Sequence, residues 1–270
     1  MDPLLAIRAT LPTLHPAFRR IAERILGHPG AVVRSTISQV AESAQVSNGT
    51  VVKFCQTLGY EGFSQFRMAL AQAIAVRYPH GSSQIQKADA VEDVKQKTLQ
   101  MHINALRDTA CMLNVKELDR AIRAICAADK VYLFGLGASG LVAKEGEEKL
   151  AQIGLRALAV TDTHMQLTRA ALLDPSQVVV GISARGYTYE VCHAMTIARQ
   201  AGAATIGMTA TVDSPLARAA DIVLLTSFAE STVDSSLLSA RIVQLCAVEV
   251  LAVGVALRSQ RGKNVNRSTE

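Results

Sequence analysis

The segment V-Y-L-F-G-L-G-A-S-G at 131–140 decides how the larger part of this chain is read. A short apolar run passes into a glycine loop, and the loop opens a helix-like stretch reaching Ile153. That order is how a parallel strand hands over to its crossover helix. Four further apolar runs follow, at Ala157–Val160, Val178–Ile182, Thr205–Met208 and Ile222–Leu225, separated by helical sequence. The alternation predicts a three-layer α/β unit, a five-stranded parallel sheet with helices on both faces.

Taken literally, 135–140 satisfies G-x-G-x-x-G, and Asp162 follows the second run as the acid of a dinucleotide site would. Alone, such a loop says only that backbone amides and a helix N-terminus can meet an anion. A second junction is more telling. The third run ends in S-A-R-G-Y-T at 183–188, and a helix begins near Tyr189. In a parallel sheet both junctions lie on one edge, at the carboxyl ends of strands. Ser139, Ser183 and Thr188 then add hydroxyls to the loop amides, which makes a phosphate cradle. A dinucleotide has no use for the second hydroxyl cluster. The candidate ligand-binding residues are Gly137, Ser139, Ser183, Arg185, Gly186 and Thr188.

Upstream of the sheet, residues 1–77 read as wholly helical. Pro12 to Leu26 places Leu14, Phe18, Ile21, Ala22 and Ile25 on one face. Ile37, Val40, Ala41 and Ala44 repeat the spacing, as do Val51, Phe54, Cys55 and Leu58. Ser35 or Thr36 caps the first of these two helices, Ala44-Gln45-Val46 makes a turn, Ser47 caps the second and Gly59 ends it. Two short helices about such a turn form a helix-turn-helix, whose second helix enters the DNA major groove. The DNA-facing candidates are Ser47, Asn48, Gly49, Thr50, Lys53 and Gln56, all off the packing face. Asn and Gln read base edges; Ser47, Thr50 and Lys53 suit phosphates.

Charge agrees. Residues 1–80 carry eight Lys/Arg against four Asp/Glu, whereas the rest of the +5 chain is nearly neutral. A basic module beside a neutral one fits a nucleic-acid partner for the former. Composition excludes a disordered chain, with 49 % apolar and 19 % charged residues. The five cysteines are scattered and form no C-x-x-C pair, so free thiols in a reducing cytosol are expected, and no metal site. The opening MDPLLAIRAT has an early acid and no long apolar run, so no secretory leader is expected. The longest apolar stretch, Leu245 to Leu257, is too short for a bilayer.

The predicted organisation is therefore α+β with two domains. An all-α helix-turn-helix bundle occupies 1–77, and a linker and connecting helix occupy 78–104. The α/β domain occupies 105–258, and a polar tail 259–270. Helix is expected from about Val94 to Cys126 and again from Leu237 to Leu257.

The run T-I-S-Q-V-A-E-S-A-Q-V-S-N-G-T-V-V-K-F-C-Q-T-L-G-Y-E-G-F-S-Q-F at 36–66 closely resembles the N-terminal domain of RpiR-type transcriptional regulators. That family often has Arg before the Phe-Cys pair, where this chain has Lys53, which keeps the charge but lacks the bidentate fork. Residues 105–257 resemble a SIS (sugar isomerase) domain, through G-L-G-A-S at 135–139, S-A-R-G-Y-T-Y-E-V at 183–191, A-R-Q-A-G-A at 198–203, I-G-M-T at 206–209 and S-P-L-A-R-A-A-D at 214–221. The resemblance implies a cytoplasmic regulator of double-stranded operator DNA whose DNA affinity is modulated by a phosphorylated sugar held by Ser139, Ser183 and Thr188. Arg185 stands where the family usually has a second serine. A charge-assisted bond to phosphate or to a ligand carboxylate fits it, and so does an outward salt bridge.

SIS domains also serve sugar-phosphate isomerases and lyases, which is the alternative reading. Such an enzyme needs a general base, and Glu145, Glu148, His164, Glu190, His193 and Glu230 are the candidates. No pair of them stands out, so no catalytic residue, cofactor or metal is expected. A homodimer or homotetramer is expected, because helix-turn-helix readers pair to match two half-sites, and the apolar last helix is suited to pack across subunits or into its own core.

Overall fold

The computed structural model describes residues 2–77, 85, 86, 88–227 and 238–267, apart from the side chains of Ala9, Pro12, Arg77 and 260–267. The chain divides into two compact units, Met1–Asn104 and Ala105–Glu270.

The first unit begins with seven short elements. They are α1 (Pro3–Thr10), a 3-10 turn (Leu11–Thr13), α2 (Pro16–Gly27), α3 (Pro29–Arg34), α4 (Ile37–Ser43), α5 (Asn48–Thr57) and α6 (Phe63–Arg77). Prolines at the first helical position open α1, α2 and α3, since a missing N–H costs nothing there. One continuous helix from Pro12 was expected; instead His15 is extended ahead of Pro16 and the helix starts afresh. The apolar faces of these helices close on Ile7, Ile21, Ile25, Val40, Phe54, Phe66 and Leu70, all at most 2 % exposed. Phe18 meets Phe54 edge-on, with ring centroids 5.5 Å apart. Residues 78–84, where the linker begins, lie outside the described residues. From Val91 the expected linker is helix, α7 (Val91–Met112), along which the boundary between the units falls.

The expected single helix from Val94 to Cys126 is two. Asn114 stops α7 and caps α8 (Val115–Ala127) by accepting the N–H groups of Lys116 and Glu117. The rest of the second unit alternates β1 (Lys130–Phe134), α9 (Ala138–Gln152), β2 (Ala157–Val160), α10 (Thr163–Ala171), β3 (Gln177–Ile182), α11 (Tyr189–Gln200), β4 (Ala204–Thr209), α12 (Pro215–Ala219), β5 (Ile222–Leu225) and α13 (Leu238–Arg267). All strands are parallel, in the order β2-β1-β3-β4-β5. The central strands β1, β3 and β4 bury both faces, as in covered parallel sheets, while the edge strand β2 is mostly half-buried. Val131 and Leu133 of β1 face α8, α9 and α13, and Tyr132 and Phe134 face α10, α11 and α12.

The strand order places a topological switch between β1 and β3. The chain leaves β1 toward β2 on one side and leaves β3 toward β4 on the other, so a crevice opens beyond their carboxyl ends.

Two differences concern the C-terminus. The segment expected as a polar tail continues α13 as far as Arg267. By length and composition, Leu238–Ser259 would also suffice to cross a membrane, which the 13-residue apolar run did not suggest. In the fold this stretch is the sheet's core helix, with Ala247, Val248, Leu251, Ala252 and Val255 packed on β1, β3 and their neighbours.

Candidate functional site

Two loops meet at the switch. β1 and β3 pair with Phe134 opposite Gly181, so the loops that leave them are neighbours. The first turns at Gly137, whose φ of 53° lies in the left-handed region. α9 starts one residue later, so Ser139 sits in its first turn rather than in the loop. The amides of Ser139 and Gly140 donate back to Leu136 O, at 3.0 and 3.3 Å, which removes them from the set of free anion donors.

The second loop is pinned from several sides. Ala210 N–H donates to Ala184 O (2.8 Å), and Leu216 N–H to Gly186 O (3.1 Å). Gly186 has φ 76°, and a Cβ there would stand 2.2 Å from Ser214 Oγ and 2.6 Å from Thr209 Oγ1. Only glycine satisfies both the left-handed backbone and the close approach. Its amide donates to Ser183 Oγ (3.2 Å), and Ser183 Oγ shares a 2.9 Å hydrogen bond with Thr188 Oγ1. Thr188 also precedes α11 as its N-cap residue.

Between the loops lies a cavity of about 300 Å³. Of the six sequence-derived ligand residues, Ser139, Ser183, Arg185 and Thr188 line it. Gly137 and Gly186 do not, and act by shaping the loops. Three lining residues escaped the sequence reading, Ala240, Arg241 and Gln244, from the first turns of α13. Gln244 is 1 % exposed. Gln166 escaped it too. Fully buried on α10, its Nε2 donates to Gly135 O (3.3 Å) and Val160 O (2.7 Å), which ties the first loop to the end of β2. A lone glutamine among polar helix residues carries no signal of that role.

The residues weighed for other chemistry stand elsewhere. Asp162 caps α10, accepting Met165 N–H at 2.9 Å, instead of facing a ribose. Glu145 lies 4.0 Å from Lys149, and His193 stacks obliquely on Tyr189. None of Glu145, Glu148, His164, Glu190 or His193 lines the cavity; Glu230 lies outside the described residues.

In the first unit, α4 opens with a capping box. Thr36 Oγ1 accepts Gln39 N–H, and Gln39 Oε1 accepts Thr36 N–H. α4 is followed, after its C-cap Ala44, by Gln45, the one non-glycine residue with positive φ (53°) among those described. Its neighbours complete a Schellman pattern, with Val46 N–H on Ala41 O and Gln45 N–H on Glu42 O. Arg20 of α2 clamps this turn through Ala44 O (3.0 Å) and Gln45 O (3.2 Å). Ser47 then caps α5 by accepting Thr50 N–H (3.2 Å).

Val51, Phe54 and Cys55 turn inward from α5, while Ser47, Asn48, Gly49, Lys53 and Gln56 are exposed and Thr50 is half-buried. The Asn48 amide donates to Ser38 Oγ (3.1 Å), and that of Gln56 to Glu61 O at a long 3.5 Å. The Lys53 ammonium has no partner among the described residues. Asn48 is thus tied to α4, whereas the Lys53 side chain is held by none of the described residues.

A helix-turn-helix unit followed by a doubly wound α/β unit with a serine-threonine crevice defines a two-domain, ligand-responsive class of DNA-binding protein. Family models agree with both parts: residues 1–77 match "Helix-turn-helix domain, rpiR family", and residues 124–254 match "SIS domain". The chain is 34 % identical over 255 residues to an uncharacterized HTH-type transcriptional regulator, TTE0211, of Caldanaerobacter subterraneus subsp. tengcongensis, covering 94 % of this chain and 90 % of that one. It thus belongs to the rpiR family of helix-turn-helix transcriptional regulators that carry a SIS domain. It is also 34 % identical over 252 residues to the bifunctional protein glk of Paraburkholderia xenovorans, spanning 93 % of this chain but only 39 % of that protein. Among solved structures it is similar to the Vibrio vulnificus NanR protein complexed with ManNAc-6P, at 26 % identity and TM-score 0.60, over 99 % of this chain and 96 % of that one.

Proposed function

We propose that this regulator binds double-stranded operator DNA through α5 and that a phosphorylated sugar in the β1/β3 crevice sets its DNA affinity. The observation that carries the reading is the convergence of Ser139, Ser183 and Thr188 on one small cavity at the switch point. Hydroxyls beside the N-termini of two helices suit a phosphate. The likeness to NanR, solved with a sugar phosphate, supports the same ligand class. On the DNA side, Ser47, Thr50 and Lys53 meet phosphates and Asn48 and Gln56 meet base edges, with Gly49 allowing close approach.

The protein acts without catalysis in this reading. None of the carboxylates and imidazoles weighed as a general base (Glu145, Glu148, His164, Glu190, His193) lines the cavity, and ligand binding need only favour one of two states of the regulator. Domain limits of 1–77 and 105–258 with a connecting segment, a cytoplasmic location and no membrane contact go with this role. A second copy is expected on α13, where Leu238, Val250, Val253 and Leu257 leave a partly exposed apolar row.

The test pairs two measurements on the full chain. Hexose and pentose phosphates should raise the unfolding temperature, because a ligand of the native state stabilises it. The same compounds should shift binding to DNA from upstream of the protein's own coding sequence, without being consumed. Turnover of a sugar phosphate with no DNA binding would favour the isomerase or lyase reading instead.

A further inference from the structure

The crevice has a wall that a phosphate alone does not explain. Arg241 and Gln244 stand three residues apart on α13, hence on one face of the helix, and both line the cavity. Gln244 Nε2 and Arg241 Nε are buried, and neither has a hydrogen-bond partner among the described residues. An unsatisfied buried donor costs about 1–3 kcal/mol, so two side by side are a standing demand for an acceptor. Among the described residues, the cavity's lining includes no carboxylate. A sugar hydroxyl can accept from Gln244, but it leaves the guanidinium charge uncompensated in a partly desolvated wall. A carboxylate satisfies both, since its two oxygens accept from the planar guanidinium fork and from the amide.

We propose that Arg241 and Gln244 form a second anion subsite and that the effector is a phosphorylated sugar acid. Its phosphate sits at Ser139, Ser183 and Thr188, and its carboxylate against α13. This rests on the phosphosugar reading above and narrows it. The two subsites come from different elements, the strand-end loops and the last helix, so the ligand must carry its two charges at separate positions.

The experiment measures affinities of the full chain by calorimetry for two matched pairs. The open-chain pair is 6-phosphogluconate against glucitol 6-phosphate; the ring pair is glucuronic acid 1-phosphate against glucose 1-phosphate. Each pair differs only by carboxylate against hydroxymethyl. Hydrogen bonds to a charged group predict that the acid of at least one pair binds about tenfold tighter or more. R241Q, and independently Q244M, should narrow that ratio. A smaller ratio in both pairs overturns the subsite while leaving the phosphosugar reading intact. So does a ratio unchanged in both variants, or an equal loss for both members in R241Q, which would put Arg241 on the phosphate. Binding of none of the four compounds overturns both readings.

Discussion

Ser183 Oγ and Thr188 Oγ1 are hydrogen-bonded to each other at 2.9 Å, five residues apart across the second loop. Ser183 is 3 % exposed and also accepts the Gly186 amide. The pair is therefore organised before any ligand arrives. A phosphate bound there as proposed would take over the hydroxyl protons as a charged acceptor, exchanging a neutral hydrogen bond for stronger ones.

Removing either hydroxyl should act mainly on binding. Ser183→Ala and Thr188→Val each are expected to lower sugar-phosphate affinity about tenfold or more, since a hydrogen bond to a charged group is worth roughly 1.5–3 kcal/mol. The loss of unliganded stability should stay near 1 kcal/mol. Calorimetric titration beside chemical unfolding separates the two effects. Unchanged affinity would move the phosphate elsewhere.

Gly186→Ala should act on folding. The added Cβ meets Ser214 Oγ and Cβ at 2.2 and 2.5 Å while φ stays at 76°. Backbone strain of about 1–3 kcal/mol adds to that clash, so a drop of at least about 2 kcal/mol is expected in urea unfolding. The loop carbonyl of Gly186, which holds Leu216 N–H, would have to shift.

Lys53 tests the DNA face. Lys53→Ala should weaken binding to any DNA sequence and reduce the slope of log affinity against log salt by about 1. Its stability should change by no more than about 0.5 kcal/mol, because the side chain is exposed. Lys53→Arg should retain the slope. Fluorescence anisotropy over a salt series reads all three.

The thiols divide by burial. Cys111 and Cys246 are exposed and should react with an aromatic disulfide reagent in the native protein, whereas Cys55 and Cys192 should react only on unfolding. Burial pushes the Cys55 thiol up to about 12 and raises Cys192 as well. An acid whose folded pKa is raised prefers to stay neutral. Its contribution is full below the ordinary thiol value of about 8.5 and is lost as pH climbs toward 12. Burial of Tyr60 acts in the same direction at higher pH. Urea midpoints should thus fall between pH 8 and pH 11, and a flat profile would contradict the burial of these groups.

What the amino-acid order reveals here follows the range of the forces involved. The five strands are legible to within a residue at either end, because each is an apolar run closed by glycine, serine or threonine. The pairing of the two loops is legible because parallel topology puts strand ends on one edge. The break at Asn114 is harder to see, since the apolar spacing runs on through a residue that acts only by capping. The extension of α13 past Ser259 is hidden for the opposite reason: helix continues there without an apolar stripe. Arg241 and Gln244 reach Ser139 across about a hundred residues of chain through tertiary packing, and no local pattern encodes that. Likewise the DNA face is readable from which residues point away from the core, but not that Asn48 is already held by Ser38.

The turn between α4 and α5 has an effect beyond its own hydrogen bonds. Gln45 holds a left-handed backbone, and Arg20 grips the two carbonyls beside it from another helix. The angle between the two helices is thereby decided by residues that never face outward from α5. Lys53 and Gln56 make no side-chain hydrogen bond to α4 among the described residues, so exchanging them leaves that angle in place. If α5 meets operator DNA as proposed, base preference can drift through Gln56 and overall grip through Lys53 while the frame that presents them stays constant, so such a regulator can acquire new target genes without first having to refold.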